Sequence, residues 1–228
     1  MTAANGLVAG RSALLLGGTG LVGGFCLDLL LAEDSYAAVR LLTRRRLDRS
    51  HPKLVQHVVD FDRLAENAEL FQVNDVFCCL GSTIRKAGSQ EAFRRVDVDY
   101  PASAAALAAD AGADQFLVIS ALGADADSRI FYNRMKGEME ARVRRLPFQA
   151  VWVLRPALLL GEREERRLGE RVAELLLRPF GRLMIGPLQR YRPVEAGLVA
   201  AAMVHLARED GTGGIVESDE IVALTAYS

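Results

Sequence analysis

The sequence predicts an α/β fold, a doubly wound and mostly parallel sheet, on three observations. Short apolar runs alternate with longer helical patterns along the chain. The runs lack clean alternation, as expected for strands covered on both faces. A glycine-rich turn joins the first run to the first helix, where such sheets bind nucleotides.

The elements follow in order. "SALLLG" (12–17) reads as a buried strand, followed by a helix from Gly20 to about Ala32. "VRLLT" (39–43), "LVQHVV" (54–59) and "DVFCCLG" (75–81) are strands two to four. The Ala-rich "YPASAAALAADAGA" (100–113) is a helix ending at a glycine. "QFLVIS" (115–120) is strand five, a helix covers roughly 130–145, and "QAVWVLRP" (149–156) is strand six, stopped by proline. Beyond Pro156 come a charged loop (161–170), a helix to about Leu177, and a Pro/Gly-rich stretch (178–194) with the character of substrate-side loops. A helix from about Glu195 and a terminal strand–helix (213–224) close a single domain spanning 1–228.

Composition excludes several function classes. The chain of 228 residues is 50% hydrophobic and 25% charged with a formal net charge of −1, which gives no electrostatic case for nucleic acid or an anionic membrane. Three cysteines, two of them adjacent, suit a reducing compartment without a disulfide framework. No Cys/His spacing suggests a metal. No apolar run is long enough to span a bilayer, and the first residues lack the pattern of a secretory leader. These features lead to an expectation of a soluble cytoplasmic protein that could form a homo-oligomer.

In "LLLGGTGLVGG" (14–24), Gly17, Gly20 and Gly23 form GxxGxxG. The glycines permit a tight turn, close approach to a pyrophosphate and close helix–strand packing. Around them, Thr19, Leu21 and Val22 bring main-chain amides to the helix N-terminus, which favours anions. A tight turn with nothing bound is the competing reading. About 20 residues on, an NAD site commonly has a carboxylate for the ribose. Here "LLTRRRL" has Thr43, Arg44 and Arg45 instead, and guanidinium groups suit a 2′-phosphate. NADP(H) is therefore the expected cofactor, with NAD(H) possible. The same basic run could be a solvated loop or a nucleic-acid patch, although no aromatics accompany it. Asp60 and Phe61 could border the adenine, and Asp60 could equally cap the following segment. Leu80, Gly81, Ser82 and Thr83 follow strand four, where the backbone can run close to the cofactor. Cys78 and Cys79 read as strand core.

"YNRMK" (132–136) places Tyr132 and Lys136 one helical turn apart. Carbonyl reduction needs a proton donor at the oxygen, and a nearby ammonium favours the phenolate and can also hydrogen-bond the cofactor ribose, so Tyr132 and Lys136 are expected to border the cofactor as well. Lys53, Lys86 and Lys136 are the only lysines among 28 basic residues, and the compact ammonium is the group this role requires. Ser120 ends strand five, where a hydroxyl could hold the substrate oxygen. An amphipathic helix with Met135, Met139 and Val143 inward is compatible with the pair.

"GGTGLVG", Ser120, Tyr132 and Lys136 resemble the short-chain dehydrogenase/reductase superfamily. "VVDFDRL", "FCCLGSTIRKAG", "FRRVDVDY", "YNRMKGEMEARV" and "LRPALLLGERE" resemble its HIV Tat-interacting-protein-like atypical oxidoreductases. The resemblance covers about 12 to 208. It implies an NADPH-binding Rossmann fold with a small substrate cap from about 157, and the triad Ser120, Tyr132 and Lys136. It also implies that the Arg-Pro loop, with Pro156 and Leu158, lies beside the nicotinamide. Many members carry a catalytic asparagine after strand four; this chain has Asp97 and Asp99 there. The short region after Pro156 favours a small aldehyde, ketone or alcohol over a sugar nucleotide. The rival expectation is a non-enzymatic NADP(H) sensor or partner-binding protein.

Overall fold

The computed structural model describes residues 10–160, 186–209 and 211–225. The charged loop and helix expected over 161–177 lie outside these residues, as do residues 178–185 of the Pro/Gly-rich stretch. Seven strands form the main sheet: β1 (Arg11–Leu16), β2 (Tyr36–Thr43), β3 (Leu54–Val58), β4 (Asp75–Cys78), β5 (Gln115–Ile119), β6 (Ala150–Arg155) and, late in the chain, β9 (Gly213–Glu217). Their order is β3-β2-β1-β4-β5-β6-β9, and all six pairings are parallel. A two-stranded ladder, β7 (Leu159–Leu160) with β8 (Val194–Glu195), stands apart.

Strand parity divides the core in two. Ala13, Leu15, Phe77 and Leu117 face a layer made by α1 (Leu21–Ala32), α6 (Ala196–Leu206) and α7 (Ser218–Thr225). Leu14, Leu16, Val76, Phe116 and Val118 face the other layer, with the 3₁₀ turns Phe61–Phe71, α4 (Tyr100–Asp110) and α5 (Phe131–Val143). Both faces of the central strands β1, β4 and β5 are covered, which explains why their apolar runs do not alternate. Met135, Met139 and Val143 are the buried stripe of α5, as the sequence suggested.

Two features depart from the sequence reading. Of the region assigned to a substrate cap, α6, β9 and α7 instead complete the Rossmann layers: β9 extends the sheet beside β6, and α6 packs against α1. An apolar helix such as "AGLVAAAMVHL" has too little polar surface to stand outside a core. Between the short helices α2 (Ile84–Ala87) and α3 (Gln90–Arg94) and helix α4, the chain widens into a π-turn, Arg95–Asp99.

Candidate active site

The order of strands reverses between β1 and β4, and in open α/β sheets the crevice at that point binds ligands. Its floor is main chain. Gly17 has φ +83°, and a Cβ there would lie 2.5 Å from the carbonyl oxygen of Cys79. A Cβ on Gly23 would lie 2.1 Å from the carbonyl oxygen of Gly17. The Gly20 amide donates to that same carbonyl at 2.8 Å, closing the turn. Gly20 is the N-cap of α1 and provides no capping side chain, so the first-turn amides of Leu21, Val22 and Gly23 point out of the helix end beside Thr19. Cradle and donor set both fit a pyrophosphate.

The end of the crevice beside β2, where the adenosine is expected, is polar. Arg44 and Arg45 are exposed past the end of β2, and neither has an ion pair among the described residues. Thr43 is buried, and its hydroxyl donates to the Arg45 carbonyl at 2.8 Å, so it shapes the turn. Asp60 accepts the Asp62 amide at 3.0 Å, the capping alternative. Phe61, expected to flank the adenine, is buried against Tyr100 with ring centroids 5.6 Å apart. Its ring belongs to the core because the segment it starts is amphipathic and must bury its apolar face. Leu80–Thr83 runs along the other wall, where the Ser82 amide donates to Asp97 and Thr83 caps α2.

Beside the crevice lies a shallow cleft of about 290 Å³, bounded by Ala121, Leu122, Tyr132, Pro156, Ala157, Leu158 and Tyr191. Tyr132 is half-buried, its ring resting on Phe93 with centroids 5.7 Å apart. Pro156 and Leu158 therefore join Tyr132 at the cleft. Gly137 allows the preceding loop to cross α5: a Cβ there would lie 2.1 Å from the amide nitrogen of Ala126. Ahead of that crossing, the Leu122 amide donates to the Pro156 carbonyl at 3.0 Å, which keeps Ala121 and Leu122 on the cleft wall with the tyrosine.

Lys136 lies one turn below Tyr132 and is 4% exposed. Its Nζ is 2.8 Å from Asp97 Oδ1. Burial pulls the lysine's pKa down, but Asp97 and then Tyr132 outweigh it, and the net shift is upward. Burial pushes Asp97 up, with Lys136 and the Ser82 amide opposing it. Buried Cys78 is pushed up to about 12, so its thiol is inert core.

Ser120 does not join this group. It is 3% exposed, and its hydroxyl donates to Glu140 Oε1 at 2.5 Å. Glu140 also receives Arg155 at 2.9 and 2.6 Å, and Arg155 reaches Glu217 at 3.2 Å. The serine continues the parity of Phe116 and Val118, which face α5, so it turns inward. Of the triad expected from the sequence, Tyr132 and Lys136 sit one turn apart on α5, whereas Ser120 lies in a buried network and Ala121 reaches the cleft instead. Sequence reading missed Glu140 and Ala121. Glu140 could have been found, since it repeats the four-residue spacing of Tyr132 and Lys136 and a strand arginine, Arg155, needs a counter-charge.

No protein-family model matches the chain. Rat protein HTATIP2 is 42% identical over 167 residues, covering 72% of this chain and 69% of its own length. The FMP52 protein of Debaryomyces hansenii is 31% identical over 211 residues, 89% of this chain and 90% of that protein. Among solved structures, human epimerase family protein SDR39U1 with NADPH superposes with a TM-score of 0.60 at 20% identity, covering 93% of this chain and 80% of that one. MoeE5 with UDP-glucuronic acid and NAD gives 0.66 at 17%, covering 95% and 81%. At such identities the structural likeness concerns the fold. The expected cytoplasmic location is corrected by the FMP52 relatives, which are named mitochondrial. That expectation rested on lacking a secretory leader and a membrane span, and neither feature distinguishes cytosol from an organelle.

Proposed function

The chain belongs to the HTATIP2-related atypical short-chain dehydrogenase/reductases, and from that premise we propose that it is an NADP(H)-dependent oxidoreductase acting on a small carbonyl or alcohol. The observation that carries this reading is Tyr132 on the wall of an apolar cleft, one turn from a buried, charged lysine. Gly17, Gly20 and Gly23 hold the pyrophosphate against the α1 amides, and Arg44 and Arg45 hold the 2′-phosphate. Bound NADPH supplies the hydride for reduction. Tyr132 Oη gives its proton to the carbonyl oxygen, and the Lys136 ammonium stabilises the phenolate that remains. Ala121, Leu122, Pro156 and Leu158 give the cleft an apolar lining that favours apolar substrate.

In the test, Tyr132→Phe removes one oxygen. NADPH oxidation is followed at the nicotinamide absorbance band with a panel of small aldehydes and ketones. Turnover should fall at least 1000-fold (on the order of 4 kcal/mol at the barrier) while NADPH affinity stays within about twofold. Full turnover in the variant would remove Tyr132 from the mechanism. One observation favours a second reading, a non-enzymatic NADP(H) sensor: Ala121 stands at the cleft, and Ser120 is held by Glu140. Tight NADPH binding with no turnover across the panel would select it.

A further inference from the structure

The carboxylate of Asp97 touches two parts of the site at once. Asp97 is 1% exposed and is carried by the π-turn Arg95–Asp99. Oδ2 accepts the Ser82 amide at 2.8 Å, on the loop that borders the cofactor crevice. Oδ1 lies 2.8 Å from Lys136 Nζ, under the proton-donating tyrosine. Oδ1 has no well-aligned hydrogen bond, so this second contact is mainly one of charge. Gly81 covers the pair closely: a Cβ there would sit 3.4 Å from Oδ1 and 3.8 Å from Nζ.

Three groups face Lys136 from the elements packed on it: Asp97 from the π-turn, Tyr132 from its own helix and Cys78 from β4. Cys78 is neutral, since burial pushes its thiol up to about 12. Tyr132 serves as the proton donor of the proposed reaction. The one standing negative charge is therefore Asp97. A lysine buried without a counter-ion gives up its proton readily. An asparagine in place of Asp97 could still accept the Ser82 amide, but it could not balance the ammonium.

We propose that Asp97 is a positioning residue: it supplies the counter-charge of Lys136 and ties that lysine to the Gly81–Ser82 loop, so the cofactor wall and the proton donor are held as one unit. The proposal concerns the same site and rests on the oxidoreductase reading for its consequence, but the charge pairing can be tested without turnover.

Two measurements test it. The first is on the unaltered protein, labelled with ¹³C,¹⁵N-lysine. With Lys53, Lys86 and Lys136 its only lysines, side-chain NMR separates them. Lys136 should keep its proton to higher pH than the other two; a midpoint below theirs overturns the proposal. The second uses Asp97→Asn, with NADPH affinity measured by fluorescence titration between pH 6 and 9. The unaltered protein should show no dependence that Lys136 explains. The variant should match it near pH 6 and bind about tenfold more weakly by pH 9, as Lys136 loses its proton. Adding Lys136→Met to the variant should abolish that slope. An Asp97→Asn profile parallel to the original at every pH would show a packing role only and overturn the proposal. If the unaltered protein binds no NADPH, the oxidoreductase reading fails, while the lysine titration still decides whether the pair exists.

Discussion

The crevice and the cleft are neighbours made of different material. The crevice is main chain: a positive-φ glycine, a helix end and two carbonyls that leave no room for a Cβ. The cleft is side chain: a phenol, a lysine and its carboxylate, and an apolar wall. Main-chain sites are specified by what residues lack, and glycines in a fixed register suffice. Side-chain sites depend on which way each residue turns, and a shift of one position exchanges a hydroxyl for a methyl.

The sharpest way to break the crevice is therefore a single methyl. Gly17→Ala puts a Cβ at φ +83°, which costs about 1–2 kcal/mol for an L-residue before any contact is considered. The Cβ also meets the Cys79 carbonyl at 2.5 Å, and that backbone cannot yield without moving β4. Chemical denaturation should show a loss of roughly 3 kcal/mol or more, and calorimetric titration should show NADPH binding weakened at least 100-fold. Ordinary affinity in a folded variant would mean that the turn is not the phosphate cradle.

A smaller effect separates the cofactors. Replacing Arg44 and Arg45 by alanine removes exposed guanidinium groups from the end of the crevice beside β2 without touching the core. NADPH should bind about tenfold more weakly and NADH should be almost unchanged. Equal losses for both would refute a role in binding the 2′-phosphate, and added salt should reduce the difference.

The contrast also explains what could be read in advance. The alternation of strands and helices along the chain, the glycine turn and the α5 stripe follow from apolar periodicity and glycine placement, which are properties of composition in register. Asp60 and Phe61 were open because a carboxylate before an amphipathic segment can cap it or face a ligand, and capping was satisfied locally. The π-turn was unreadable because its widening depends on tertiary packing, and through it Asp97 reaches Lys136 across 39 positions. Ser120 was misplaced because its position at a strand end gave the location but not the face. Strand parity held the answer, since residues 116, 118 and 120 share a side.

The last comparison is between adjacent residues, Ser120 and Ala121. Ser120→Ala takes a hydroxyl from Glu140, which keeps both contacts from Arg155. Stability should fall by about 1 kcal/mol, because one buried acceptor site loses its donor, while turnover stays within about twofold. Ala121→Ser does the reverse, adding a donor at the cleft wall where substrate would lie beside Tyr132. If its hydroxyl reaches the carbonyl oxygen, kcat/KM should rise about tenfold, roughly 1.4 kcal/mol of transition-state stabilisation. Denaturation curves and steady-state kinetics on the same two variants separate the roles. A large loss of turnover in Ser120→Ala with stability unchanged would return the serine to the chemistry. The predicted pattern, stability lost at 120 and rate gained at 121, would show that the cleft works with one donor fewer than its glycine turn and Tyr–Lys pair would suggest.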